Sequence, residues 1–132
     1  METVVLDTDI IINHARGAAT DLSTLLLQRE KGRIILVVPS IVVFEYYSGA
    51  PLKNSDVKIA SDFLFSQFII QEVTLAIAHK AAELNRMYTL YKKIDTGDIL
   101  IGATALVLNG TLATRNKKHF QHIPSLKFHS FL

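Results

Sequence analysis

The sequence predicts an α/β fold built on a mainly parallel sheet. Three observations predict it. Short apolar, β-branched runs occur without polar alternation, segments with helical spacing separate them, and turn or capping residues mark the junctions. Strands that do not alternate are buried on both faces, which requires helices above and below the sheet.

Thr3 to Leu6 is continuous and β-branched, a first buried strand. Ile10 to Arg16 has helical spacing and stops at Gly17. A second helix runs from Asp21 or Leu22 to Lys31, with Gly32 as the glycine that ends it. RIILVVP is a second buried strand, closed by Pro39. Ser40 is a good N-cap for the helix IVVFEYYSG, which stops at Gly49. Residues 55–66 form an amphipathic helix, with Val57, Ala60, Phe63 and Leu64 expected on its buried face. FIIQEV is a short third strand. Thr74 opens a long helix carrying Ile77, Ala81, Leu84 and Tyr88. Asp95 or Thr96 caps DILIGATALVLN, which is apolar nearly all round and therefore buried. GTLAT is a fourth strand, and LKFHSF a fifth at the edge.

The 132 residues suit one domain, 1–132, with a single hydrophobic core. No repeat, linker or low-complexity tract interrupts it. The longest apolar runs are shorter than the roughly 18–20 residues a membrane span needs, and IILVVPSIVVF is broken by Pro39. METVVLD lacks the basic start of a signal peptide, so a soluble, cytoplasmic protein is expected. With no cysteine, disulfides, thiolate metal sites and a Cys nucleophile are excluded. Net charge is +2, but no acidic residue follows Asp98, while Arg115, Lys117, Lys118 and Lys127 do. A basic exterior around an acidic pocket suits a polyanionic ligand, although clusters such as RNKK are also ordinary solvated loops.

Parallel sheets bind ligands beyond the carboxyl ends of their strands, where strand order reverses. Asp7 ends the first strand. Glu45 is the only charge in SIVVFEYYSG, Asp98 lies in the first turn of the most apolar helix, and Asn116 follows the fourth strand. Burying an uncompensated carboxylate costs several kcal/mol or forces protonation, so three together call for a cation between them. All-oxygen donors favour Mg²⁺ or Mn²⁺, the makeup of metal-assisted phosphodiester hydrolysis. Plainer readings exist: Asp98 complements a helix dipole, Asp7 caps a turn, and Asp9 is more simply an N-cap than a ligand. The histidines show no metal-ligand spacing. A receiver domain, the rival α/β fold with an acidic Mg²⁺ pocket, needs an Asp at the end of its third strand, and FIIQEVT has none.

Four segments, VVLDTDIII, PSIVVFEYYSG, GDILIGATAL and LATRNKKHF, appear in an order and spacing that resemble PIN-domain ribonucleases. The likeness is closest to the small toxin components of VapBC-type toxin–antitoxin modules. It implies a PIN-like, Rossmann-like three-layer sandwich around a five-stranded parallel sheet, with the first and fourth strands adjacent at its centre. It also implies that Asp7, Glu45 and Asp98 are the catalytic metal acids, that Asn116 completes the metal site where many members have a fourth acid, through its amide oxygen or a held water, and that Thr114 supports the pocket, with Asp9 beside it. His119 lies where related sequences often carry an acid. The implied activity is a Mg²⁺- or Mn²⁺-dependent endoribonuclease leaving 5′-phosphate and 3′-hydroxyl ends, with Arg115, Lys117 and Lys118 holding the RNA backbone. A toxin of this kind forms a homodimer and binds a cognate antitoxin protein over the active groove, with the apolar stripes at 10–16 and 41–47 as docking surfaces. The alternatives are a solitary RNA-processing nuclease and a catalytically weak binding module for RNA or protein.

Overall fold

The structure, a computed structural model, describes residues 1–15, 20–88 and 94–131. Five parallel strands form one sheet in the order β3-β2-β1-β4-β5. They are β1 (Glu2–Leu6), β2 (Ile34–Pro39), β3 (Ile69–Gln71), β4 (Thr111–Ala113) and β5 (Lys127–Phe128). Six helices flank them among the described residues: α1 (Thr8–Ala15), α2 (Asp21–Glu30), α3 (Ser40–Gly49), α4 (Ser55–Ser66), α5 (Leu75–Tyr88) and α6 (Thr96–Val107). Val4, Val5 and Leu6 are all fully buried although consecutive strand residues point to opposite faces. Both faces of β1 are therefore covered, as its unalternated sequence requires.

The chain leaves β1 toward β2 on one side and returns to β4 on the other, so strand order reverses between β1 and β4. Their carboxyl ends form the crevice where such sheets bind ligands. Register fixes its floor: Leu6 pairs with Ala113, and the next backbone N–H, that of Asp7, donates to the Ala113 carbonyl at 3.0 Å.

Helix ends follow local chemistry. Gly32 has φ +71°, and the bonds from Gly32 N–H to Arg29 and from Arg33 N–H to Gln28 close α2 in a Schellman turn. Asp95 caps α6 by accepting from Gly97 N–H at 3.0 Å. Thr74 precedes α5 and accepts from Ile77 N–H at 3.2 Å. α1 starts at Thr8, before Ile10, and its expected stop at Gly17 lies outside the described residues.

Three expectations are corrected. Ser40 is the first residue of α3; Pro39 occupies the N-cap, with no side-chain capping bond. In α4 the buried residues are Ser61 and Phe65, while Phe63 is 68% exposed and Ala60 is also exposed. An aromatic cluster explains the rotation. Phe65 packs 5.1 Å from Tyr46 and 5.3 Å from Tyr47, and Ser61 lies 2.8 Å from the Tyr46 hydroxyl. Filling that cluster and satisfying a buried hydroxyl outweigh hiding Phe63. β3 spans three residues, fewer than FIIQEV suggests, and as an edge strand leaves Ile69 and Ile70 exposed.

Candidate active site

Asp7 is the first residue past β1 and is 6% exposed. Its Oδ1 accepts the Thr8 backbone N–H at 2.7 Å, and its Oδ2 accepts the Thr114 hydroxyl at 2.7 Å. Burial pushes this carboxyl up to about 7, with the charges of Asp9 and Asp98 adding and the bonds from Thr114 and Thr8 opposing. A buried acid that accepts two hydrogen bonds and still resists ionisation is short of positive charge.

Glu45 reaches the same end of the sheet from α3. Its Oε1 accepts the Thr8 hydroxyl at 2.8 Å. On its other side α6 begins, at Gly97. A Cβ at Gly97 would stand 3.0 Å from Glu45 Oε2 and 3.0 Å from Asp95 Oδ2. The missing side chain lets the N-terminus of α6 come up against two carboxylates.

Asp98 follows in the first turn of α6. Burial and then the Asp95 charge raise its carboxyl to about 6; Glu45 and Asp9 add to this, and His119 opposes it. The His119 imidazole is 3.7 Å from Asp98 Oδ2. Asp9 is raised as well, chiefly by burial. Its Oδ2 accepts the Arg115 backbone N–H at 3.0 Å and the Asn116 side-chain amide at 3.2 Å. Its Oδ1 is buried and, among the described residues, has no hydrogen-bond partner.

The turn after β4 ties these acids together. Thr114 donates to Asp7 and accepts the Asn116 backbone N–H at 2.9 Å, while Asn116 turns its amide nitrogen to Asp9. Asp7, Asp9, Thr114 and Asn116 thus meet directly, Glu45 joins them through Thr8, and Asp98 joins them electrostatically. Among the described residues, no three His, Asp or Glu side chains are arranged to hold an ion as they stand. The donor chemistry nevertheless fits a hard cation. The donors are all oxygen, two carboxyls are raised by burial and then by their neighbours' charge, and one buried Asp9 oxygen lacks a partner among the described residues.

The three cations expected at the rim differ in their settings. Arg115 bonds Asp21 with Nε at 2.7 Å and Nη2 at 2.6 Å, and its guanidinium lies 4.3 Å from the centre of the Phe131 ring. Lys117 Nζ is 5.6 Å from the centre of the Phe128 ring. Lys118 is exposed. In the apolar stripes at 10–16 and 41–47, Ile10, Ile11, Val42 and Tyr46 serve the core, and Phe44 is exposed. Two adjoining clefts, about 370 and 390 Å³, share Ala15, Tyr46 and Val57, and Glu45 lines the first.

Sequence reasoning missed Thr8, Asp95 and Asp21. Thr8 carried a signal, since a hydroxyl between two carboxylates in DTD is placed to orient one of them. Asp95 was read only as a cap, and nothing local to Asp21 pointed across the chain to Arg115.

A family model described as PIN domain matches residues 4–126. Ribonuclease VapC19 of Mycobacterium tuberculosis is 33% identical over 127 residues, covering 93% of this chain and 96% of that protein. A toxin-antitoxin complex from Klebsiella pneumoniae aligns with TM-score 0.74 and 25% identity over 98% of both chains. VapBC2 from Rickettsia felis, bound to a DNA fragment from its promoter, aligns with TM-score 0.83 and 24% identity, over 96% of this chain and 97% of that one. It speaks for the fold.

Proposed function

The chain belongs to the PIN-domain family, and from that premise we propose that it is a divalent-metal-dependent endoribonuclease, the toxin of a toxin–antitoxin pair. The observation that carries this reading is the group of carboxylates around the β1–β4 crevice, in a chain 33% identical to a ribonuclease. Asp7, Glu45 and Asp98 hold Mg²⁺ or Mn²⁺, with Asp9 and Asn116 beside them. A divalent ion there supplies Lewis acidity toward a phosphoryl oxygen and offsets the charge that these acids accumulate.

The residues themselves bind and orient. Thr114 and the Thr8 N–H fix the two oxygens of Asp7, and the Thr8 hydroxyl fixes Glu45. Asn116 and the Arg115 N–H hold one oxygen of Asp9 and leave the other for the pocket. Lys117 and Lys118 attract the phosphate backbone of RNA, an interaction that weakens with salt. The Tyr46-lined clefts accept an apolar segment of an antitoxin, and the protein works in the cytoplasm as a homodimer. Among the described residues, no helix is long and apolar enough to cross a membrane.

The test is cleavage of RNA by the purified chain with Mn²⁺, with and without chelator, beside Asp7→Asn. Cleavage that needs the ion and disappears in the variant supports the reading. Equal cleavage in chelator, or full activity in Asp7→Asn, overturns it. A chain that binds RNA but never cuts it would be the weak binding module, for which the neutral Asn116 is the motivating feature. Co-purification with the product of an adjacent small reading frame separates a toxin from a solitary processing nuclease.

A further inference from the structure

We propose that Arg115 is a positioning residue for the acidic site, acting through an ion pair with Asp21, and not a contact to RNA. One residue makes two attachments in different directions. Its backbone N–H is bonded to Asp9 Oδ2 at 3.0 Å. Its guanidinium grips both oxygens of Asp21 at 2.6 and 2.7 Å and lies over the Phe131 ring at 4.3 Å. Asp21 sits in the first turn of α2, directly after the N-cap Thr20, whose side chain accepts the Ser23 N–H. It is therefore fixed at a capped helix end.

The neighbours of Arg115 in the chain give this clamp its consequence. Thr114 holds Asp7, and Asn116 holds Asp9. Anchoring residue 115 to α2 and to Phe131 holds the turn between them, so both acids inherit their placement from the pair. A planar guanidinium meeting a carboxylate at two points sets direction as well as distance, which a lysine ammonium does not. Two of its five N–H donors are committed to Asp21, which also offsets its charge, so Arg115 draws a phosphate less than an unpaired cation does, although its side chain is half exposed. Lys117 and Lys118 remain for that task.

The inference rests on the acidic pocket being a metal site, and the test scores ion binding without RNA. Mn²⁺ affinity of the full chain is measured by titration for wild type, Asp21→Asn and Arg115→Lys, and for the exchanged pair Asp21→Arg with Arg115→Asp. Steady-state cleavage and thermal melting accompany it. Asp21→Asn keeps the shape of the side chain at a residue that bonds none of the site's acids. Removing the Asp21 charge, which raises Asp9, acts in the opposite direction to the loss of the clamp on that group. The variant is expected to weaken Mn²⁺ binding and lower kcat about tenfold, the lower end of what supporting partners of metal ligands contribute. KM for RNA and its salt slope stay as in wild type. Arg115→Lys falls between, and the exchanged pair recovers part of the Mn²⁺ affinity.

Two results overturn the proposal. Unchanged Mn²⁺ affinity and kcat in Asp21→Asn would make the pair an inert surface contact. A raised KM in Arg115→Lys, with a flattened salt slope and normal kcat, would make Arg115 an RNA contact. If wild type binds Mn²⁺ but cuts no RNA, the nuclease reading fails and the clamp is still judged on Mn²⁺ affinity. If wild type binds no Mn²⁺, both fail.

Discussion

The Thr8 hydroxyl donates to Glu45 Oε1 at 2.8 Å, and the Thr8 backbone N–H donates to Asp7 Oδ1 at 2.7 Å. One residue thus orients two carboxylates that are 38 positions apart in the chain. Thr8→Val removes the hydroxyl and keeps the β-branched shape. Glu45 then turns freely, and RNA cleavage falls about 10- to 100-fold. Stability changes by only about 1 kcal/mol, the usual net worth of one hydrogen bond. Thr8→Ser restores most of the activity. A Thr8→Val protein that cuts RNA at the wild-type rate would show that Glu45 needs no such support.

Asp7→Asn separates folding from chemistry. The Asp7 carboxyl is pushed up to about 7 by burial and by neighbouring acids, so the folded chain carries it as an anion only reluctantly at neutral pH. An amide of the same shape removes that penalty: its oxygen accepts the Thr8 N–H, and its nitrogen donates to the Thr114 hydroxyl, which can turn to accept. Melting of the metal-free variant at pH 8 is expected at or above the wild-type temperature, with cleavage abolished. A variant that no longer folds would assign Asp7 a structural role.

Ionisation of the same group predicts a pH dependence. Asp7 and Asp98 are raised from 3.8 to about 7 and about 6. Between roughly pH 4 and 7 the native chain therefore binds more protons than the unfolded chain, and metal-free stability falls as pH rises through that window. The contribution of these two groups is flat above it. A divalent ion needs the ionised forms, so its stabilisation grows over the same range. Melting in chelator is expected to be higher at pH 5 than at pH 8, and the gain on adding Mn²⁺ larger at pH 8. Melting in chelator that rises toward pH 8, or an equal Mn²⁺ gain at both, would contradict this assignment of the two acids.

Much of this was legible in the sequence because the relevant signals are local. Val4 to Leu6 lacks alternation and so had to be buried on both faces. Glu45 is the lone charge in an apolar helix, and Asp98 opens the most apolar segment of the chain. What escaped depends on distant partners. Arg115 looked like one cation of a basic loop because Asp21, its partner, lies 94 residues away. Phe63 fits a helical stripe, yet the pull of Phe65 into the tyrosine cluster turns α4 away from it. Asn116 could be placed beside the site, but not the direction of its amide. That direction follows from the Arg115 and Asn116 donors meeting on one oxygen of Asp9.

Gly97 offers a test in which fold and site are expected to move in opposite directions. An alanine inside a helix is favoured over glycine by about 0.8–1.0 kcal/mol, and Gly97 lies in the first turn of α6. The added Cβ would stand 3.0 Å from Glu45 Oε2 and 3.0 Å from Asp95 Oδ2, both at the ends of flexible side chains. Each must yield by a few tenths of an ångström, and because Asp95 Oδ2 also caps α6 through the Gly97 N–H, part of the propensity gain is given back while the carboxylates shift. Gly97→Ala is expected to melt at or slightly above the wild-type temperature, to bind Mn²⁺ about tenfold more weakly, and to lose cleavage in proportion. Titration with Mn²⁺ beside a melting curve reads both terms. Weaker binding together with a large loss of stability would mean that the backbone of α6 had moved. Unchanged binding would mean that Glu45 does not hold the ion from this position.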